Sequence, residues 1–307
     1  MWYLTGYIMS EKPKIIVVIG PTASGKSALA VEIARKIGGE VISADSRQVY
    51  KGLNIGSGKI SKKEMRGVPH HLLDVASPKK IYTAAHFKID ADRAIKKIIS
   101  KGNVPIICGG TGFYVDTLLG KIDLPEAKPD AALRKTLSKK SAPELFSLLK
   151  KLDPRRAKEI DRNNPVRLIR AIEIAHALGR VPMLATKVQA YETLTLGISW
   201  LKEQLQKRIH DRLKVRMKQG MLREAKNLRA HGLSFKRMEE LGLEYRCMAR
   251  HLQGQLTKEE MLKQLELEIV RYAKRQMTWF KRDETVIWVS PKNKAKTLLH
   301  VARFLNS

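Results

Sequence analysis

Eight residues, Gly20-Pro21-Thr22-Ala23-Ser24-Gly25-Lys26-Ser27, spell G-x-x-x-x-G-K-S between an apolar run at 15–19 and an apolar repeat at helical spacing over 28–37. The run is short, β-branched and hydrophobic at every position, as in a parallel strand covered on both faces. Strand, glycine loop and helix in that order bring successive backbone N–H groups to a helix N-terminus, where they converge on an anion. The loop is therefore expected to hold a di- or triphosphate, with Lys26 reaching the outer phosphate and the Ser27 hydroxyl ligating Mg²⁺. The pattern does not say whether those phosphates belong to a nucleotide.

Two further strand ends should meet this loop. Residues 40–44 read as a second strand that runs into Asp45-Ser46-Arg47-Gln48-Val49-Tyr50. Ligands of open α/β sheets sit at the carboxyl ends of strands, so Asp45 is expected to face whatever the loop holds; an aspartate there also serves as a turn former. An amphipathic helix over 82–100 leads to a strand over 104–108, which ends at Gly109-Gly110-Thr111-Gly112. No acidic residue closes that strand, so the second Mg²⁺ aspartate of many nucleotide hydrolases is missing. His70 and His71, adjacent in an extended segment, face opposite sides and should not share a metal ion. Residues 1–12 show no period, and Met9 is a second candidate start.

From 120 to 180 the pattern is helical only. Ser141-Ala142-Pro143-Glu144 is a capping box, and Asp153-Pro154 and Asn164-Pro165 each pair an N-cap with proline at the first helical position. Three short helices and one longer one over 166–178 are expected, with Arg167 and Arg170 on one face of the last. Residues 191–198 then return to a strand. The helix after it packs Leu201, Leu205, Ile209, Leu213 and Met217, with Arg208, Arg212 and Arg216 recurring every four residues alongside; such a ladder is commonly a solvated face. A capping box at Thr257-Lys258-Glu259-Glu260 starts another long helix with Leu265, Ile269, Tyr272, Gln276 and Phe280 on one stripe. A strand over 285–289 and a helix over 294–305 close the chain. The expected division is a first core part over 13–119, a helical insertion over 120–180 and a second core part over 181–307.

With 43% hydrophobic residues in 307, the chain can bury a sizeable core. No apolar run approaches the roughly 18 residues that span a bilayer, and no basic leader with an apolar core opens the chain, so a cytoplasmic protein without a membrane partner is expected. Cys108 and Cys247 lack ligand spacing and read as buried thiols. Lys+Arg 59 against Asp+Glu 30 leaves a net charge of +29, an excess that points to nucleic acid, because a polyanion recruits such a surface by counterion release.

Several stretches together resemble the bacterial tRNA dimethylallyltransferases. They are the glycine loop, Ile42-Ser43-Ala44-Asp45-Ser46, Gln48-Val49-Tyr50-Lys51-Gly52, Pro69-His70-His71-Leu72, Gly109-Gly110-Thr111-Gly112, Arg167-Leu168-Ile169-Arg170-Ala171 and Ala273-Lys274-Arg275-Gln276. The resemblance implies an α/β, P-loop NTPase-like core with a mostly parallel sheet flanked by helices, plus an all-helical insertion. It implies transfer of a dimethylallyl group from dimethylallyl diphosphate to N6 of the adenosine 3′ of the anticodon. The loop from Gly20 to Ser27 would cradle the diphosphate leaving group, with Lys26 and a Ser27-bound Mg²⁺ neutralising its charge. Thr22 would stand near the bridging oxygen, Asp45 would take the amine proton, and Arg212 would reach the diphosphate while Arg208 and Arg216 stay solvated. The positions matching the tRNA contacts are Asp45, Ser46, Arg47, Gln48, Thr111, Arg134, Val166, Arg167, Leu168, Ile169 and Arg170. The adenosine would be flipped from the anticodon stem-loop into a channel between core and insertion. A monomer is expected. The chain departs from the family pattern at Arg47, usually uncharged there, at Ser57-Gly58-Lys59-Ile60 in place of T-A-K-P, and at Leu241-Gly242-Leu243-Glu244-Tyr245-Arg246.

Two other readings compete. A P-loop kinase of a nucleotide or small metabolite accounts for the first 120 residues but leaves the basic insertion without use. A basic nucleic-acid-binding protein with a degenerate ATPase domain explains the charge but not why Lys26, Ser27 and Asp45 occur together.

Overall fold

The computed structural model describes residues 12–182, 190–291 and 293–307; Met9 lies outside them. The first strand, β1 (Lys14–Ile19), shows why its sequence is apolar throughout. Ile15, Val17 and Ile19 pack into one buried cluster, and Ile16 and Val18 into another on the opposite face. A strand covered on both sides has no polar face to display.

The glycine loop leads into α1 (Lys26–Ile37), which buries Leu29, Ala30, Ile33 and Ala34 against the Ile16 face. There follow β2 (Gly39–Ser43), α2 (Lys62–Met65), β3 (His70–His71), α3 (Ala84–Ile99), β4 (Val104–Gly109) and α4 (Gly112–Leu118). Helices α3 and α4 cover the Ile15 face with Phe87, Ile95, Tyr114 and Leu118. After the insertion come β5 (Glu192–Ile198), α9 (Lys202–Lys218), α10 (Met221–Ala230), α11 (Phe235–Leu241), α12 (Leu243–Leu252), α13 (Lys258–Phe280), β6 (Ile287–Val289) and α14 (Lys294–Asn306). Six strands form one sheet in the order β3-β2-β4-β1-β5-β6, and every pairing among the described residues is parallel. The carboxyl ends of β2, β4 and β5 therefore surround that of β1.

Helices α9 to α13 build a third core of their own around Ile209, Leu213, Met221, Met238, Tyr245 and Leu265. Sequence periodicity resolves only α9 and α13 of these; α10, α11 and α12 are short and punctuated by Gly220, Gly232 and Gly242, all at positive φ. Leu201, expected on the apolar stripe, is instead the N-cap of α9 and 67% exposed.

The adjacent histidines part as expected. His71 Nε2 lies 2.6 Å from Glu40 Oε2, while His70 Nδ1 meets the Val68 carbonyl at 2.9 Å. Lys101 Nζ and Asn103 Nδ2 each donate to Glu40 Oε1 at 2.8 Å. Burial works to raise the Glu40 pKa, but the bonds from Lys101, His71 and Asn103 prevail and hold it at about 2. Both cysteines are buried and free. No cluster of three His, Cys, Asp or Glu suited to a metal occurs among the described residues, and none of their helices is long and apolar enough to cross a membrane.

The chain divides into two compact units, one running up to Gly120 and on from Val188, the other made of Lys121–Lys187. The second holds α5 (Ala131–Leu137), α6 (Ala142–Leu152), α7 (Pro154–Glu159) and α8 (Pro165–Leu178). The capping box at Ser141 forms, and Asp153 and Asn164 accept the N–H groups of Arg156 and Arg167 at 2.9 and 3.2 Å. Its core is Leu145, Leu149, Leu168, Ala171 and Ile172. Each buried leucine or isoleucine there contributes about 1.5–3 kcal/mol by burial.

Candidate active site at the carboxyl edge of the sheet

The turn from β1 into α1 is made possible by Gly20 (φ 156°), Ala23 (φ 62°) and Gly25 (φ 94°). Gly25 is the N-cap of α1 and offers no side-chain acceptor, so the first N–H groups of the helix are left for a ligand. Three carbonyls of the loop are taken by side chains. Ala23 O accepts from Arg208 Nε at 2.8 Å, Ser24 O from Trp200 Nε1 at 2.9 Å, and Pro21 O from Lys26 Nζ at 3.3 Å. Thr22 N–H donates to Gln276 Oε1 at 2.8 Å, and Gln276 Nε2 donates to Gly110 O at 2.8 Å, joining the loop to the turn after β4. The Ser24 hydroxyl is 1% exposed and has no partner among the described residues.

Lys26, Ser27, Thr22, Asp45, Arg208 and Arg212 line one cavity of about 730 Å³. Burial lowers the Lys26 pKa, with Arg212 pressing the same way against the pull of Asp45. An anion placed here would oppose that shift and favour the charged ammonium. Beneath Lys26, burial raises the Cys108 thiol to about 11, which makes it an inert neighbour that bonds the Ser27 side chain.

Asp45 follows β2 at the same edge. Its Oδ1 accepts the N–H groups of Arg47 at 2.9 Å and Gln48 at 3.3 Å, so the turn-forming role is real. Oδ2 makes no hydrogen bond among the described residues, and the carboxylate lines the cavity with Lys26. One oxygen fixes the side chain and the other remains available to a substrate proton. Thr111 Oγ1 accepts Ser46 N–H at 3.0 Å, and its own N–H donates to Ala44 O at 3.2 Å, which ties the ends of β2 and β4 together. Arg47 Nη1 folds onto Ser46 O at 3.1 Å, and Ser43 Oγ donates to Gln48 Oε1 at 3.5 Å.

Two rungs of the arginine ladder of α9, Arg212 and Arg216, are not solvated. Arg212 donates from Nη1 to Thr22 Oγ1 at 3.4 Å and from Nη2 to Gly58 O at 3.0 Å, so it touches the glycine loop and the loop after β2 together. A Cβ on Gly58, which has φ 62°, would collide with that guanidinium. Arg216, expected in solvent, is 6% exposed; it donates to Ile55 O at 2.6 Å and to Gly56 O, and pairs with Glu244 at 3.0 Å. Glu224 grips the same segment, accepting the N–H groups of Asn54, Ile55 and Gly56 at 2.9, 2.7 and 2.9 Å and the Tyr245 hydroxyl at 2.8 Å. Arg208 is exposed, yet it is bonded to Ala23 and lies 4.4 Å over the Trp200 ring.

In the insertion, the residues matched to tRNA contacts divide. Val166 is 77% exposed and Arg167 is exposed. Leu168 is fully buried in the unit's core, so its side chain holds the helix and does not reach RNA; Ile169 packs partly against the same core. Arg134 forms a fork with Glu173 at 2.8 Å through both Nε and Nη2, and Arg170 donates to Glu173 and to Ala127 O at 2.9 Å. Glu173 is 1% exposed; burial opposes its charge, but the two guanidiniums and the Asp130 N–H outweigh it and lower its pKa.

Residues 48–283 match the family described as IPP transferase. The tRNA dimethylallyltransferase 2 of Shewanella sediminis is 44% identical over 88% of this chain and 89% of its own length. The tRNA dimethylallyltransferase of Anoxybacillus flavithermus is 38% identical over 90% and 89%. Among solved structures, the full-length tRNA isopentenylpyrophosphate transferase of Bacillus halodurans has a TM-score of 0.74 and 33% identity, covering 96% of this chain and 97% of its own. A eukaryotic dimethylallyltransferase captured acting on tRNA has a TM-score of 0.79 at 27% identity, covering 91% of this chain and 74% of its own. A phosphate-binding loop beside a carboxylate and an arginine, on a sheet shared with these enzymes, makes this chain a transferase and a member of the IPP transferase family.

Proposed function

We propose that this protein transfers a dimethylallyl group from dimethylallyl diphosphate to N6 of the adenosine 3′ of the anticodon in tRNA, releasing diphosphate. The observation that carries the reading is that Asp45 and the glycine-loop groups Thr22, Lys26 and Ser27 line one cavity, with Arg212 on Thr22. A kinase is not favoured, because the strand behind the loop ends in Gly109-Gly110-Thr111 with no acidic residue for a second metal contact.

The chemistry follows from charge. As the allylic C1–O bond lengthens, negative charge grows on the diphosphate, where the α1 N–H groups, Lys26 and Arg212 would receive it. Nitrogen N6 of the adenine forms the new bond to C1, and its proton passes to Oδ2 of Asp45, which Oδ1 holds in place through the turn. The Ser27 hydroxyl, beside Lys26 in the cavity, suits a hard divalent cation that takes most of its ligands from phosphate and water. Mg²⁺ bound there would supply further neutralisation of the leaving group. Exposed Arg167 and Val166 are the insertion residues offered to the anticodon stem-loop. The reading is of a monomer, since one chain supplies every donor-site group named, and of a cytoplasmic enzyme, since its acceptor is tRNA.

The test is donor consumption. With Mg²⁺ and tRNA the protein should consume dimethylallyl diphosphate, and omission of tRNA should stop turnover. Transfer of the γ-phosphate of ATP would sink the proposal.

A further inference from the structure

Two consecutive carbonyls of the glycine loop, those of Ala23 and Ser24, are taken by two side chains that also touch each other. Arg208 Nε bonds the first at 2.8 Å, Trp200 Nε1 bonds the second at 2.9 Å, and the guanidinium lies 4.4 Å over the indole. A trans peptide points its C=O and N–H in opposite directions, so holding Ser24 O on Trp200 also fixes the direction of Gly25 N–H at the start of α1. Holding Ala23 O on Arg208 fixes the peptide plane that follows Ala23, a residue at φ 62° in the left-handed region that a Cβ disfavours. The loop thus keeps an unfavourable backbone conformation at the one residue whose carbonyl an arginine grips.

We propose that Arg208, stacked on Trp200, is a positioning residue that holds the glycine loop in its anion-binding form by fixing Ala23 in the left-handed conformation. This builds on the diphosphate reading of the site, but its signature is separate. Were Arg208 simply a cation attracting the anion, removing it would cost the same whatever residue stood at 23. As a restraint on Ala23, it should matter less once that residue adopts positive φ freely, as glycine does.

The measurement is a double-mutant cycle on calorimetric binding of inorganic diphosphate with Mg²⁺, using Arg208→Ala in the natural sequence and in an Ala23→Gly background. Diphosphate affinity should fall about tenfold for Arg208→Ala alone, the order of one charge-assisted hydrogen bond, and by no more than about threefold in the Ala23→Gly background. Affinity for tRNA should be unchanged by Arg208→Ala, and circular dichroism of each variant should show an intact fold. Equal losses in both backgrounds, or a loss of tRNA affinity with diphosphate affinity intact, would overturn the proposal. Because the probe is diphosphate, failure of dimethylallyl transfer would leave this result readable.

Discussion

Two groups of arginines meet opposite fates. In the insertion, Arg134 and Arg170 converge on Glu173, an acid that is 1% exposed. In the core, Arg208 and Arg212 converge on backbone carbonyls and a hydroxyl of the glycine loop and on Gly58. The first group has its counter-charge built in and serves the fold. The second spends its hydrogen bonds on dipoles and forms no salt bridge among the described residues. What differs is that the insertion pair closes on one buried carboxylate, Glu173, whereas Arg208 and Arg212 bond backbone carbonyls and a hydroxyl.

That contrast can be broken by substitution. The largest effect belongs to Asp45, one of the acids lining the core cavity: Asp45→Asn should lower the single-turnover rate by about two to four decades with little change in tRNA affinity. Near-normal turnover would leave Asp45 a turn former only. Next, Arg212→Ala should cost about 3 kcal/mol of transition-state stabilisation, roughly a hundredfold in rate at saturating tRNA. A loss confined to tRNA binding would assign Arg212 to the RNA surface.

The insertion should answer in stability instead. Glu173→Gln leaves two guanidiniums without their anion and should destabilise that unit by about 3 kcal/mol, read as a lower melting temperature. The pH dependence has a definite sign. A carboxylate with a lowered pKa stabilises above its unfolded pKa and loses that contribution as pH falls toward the folded one. The gap in melting temperature between wild type and Glu173→Gln should therefore be widest near neutrality and close on acidification below the ordinary glutamate range. A gap that widened on acidification would contradict the assignment. The smallest effect is expected from exposed Arg167: alanine there should weaken tRNA binding a few-fold and, if it meets a phosphate, reduce the salt slope by about one unit. Binding and slope both unchanged would remove it from the RNA surface.

What the sequence makes legible is what neighbouring residues decide. The glycine loop, the caps at Ser141, Asn164 and Thr257, and the strand ends at Asp45 and Thr111 all follow from chemistry within a few positions. What it hides is partnership across the chain. Gln276 meets Thr22 across 254 positions, Arg216 meets Ile55 across 161, and Glu224 meets Asn54 across 170. A weak signal was present: Gln276 and Glu173 each interrupt an apolar stripe, and a polar group placed in a core must have a partner. Its identity depends on topology, which periodicity does not carry.

The sheet's outer strands have a consequence for life at high concentration. β3 has two residues and β6 three, while the strands they cover, β2 and β5, have five and seven. Long apolar strands with free edges invite a neighbouring chain to add itself by backbone pairing. Here the edges offer too few unpaired backbone groups to template another strand, and a charge of +29 repels like copies. β6 pairs with Leu196, Gly197 and Ile198 of β5 and so leaves less of that apolar strand's edge open to another chain.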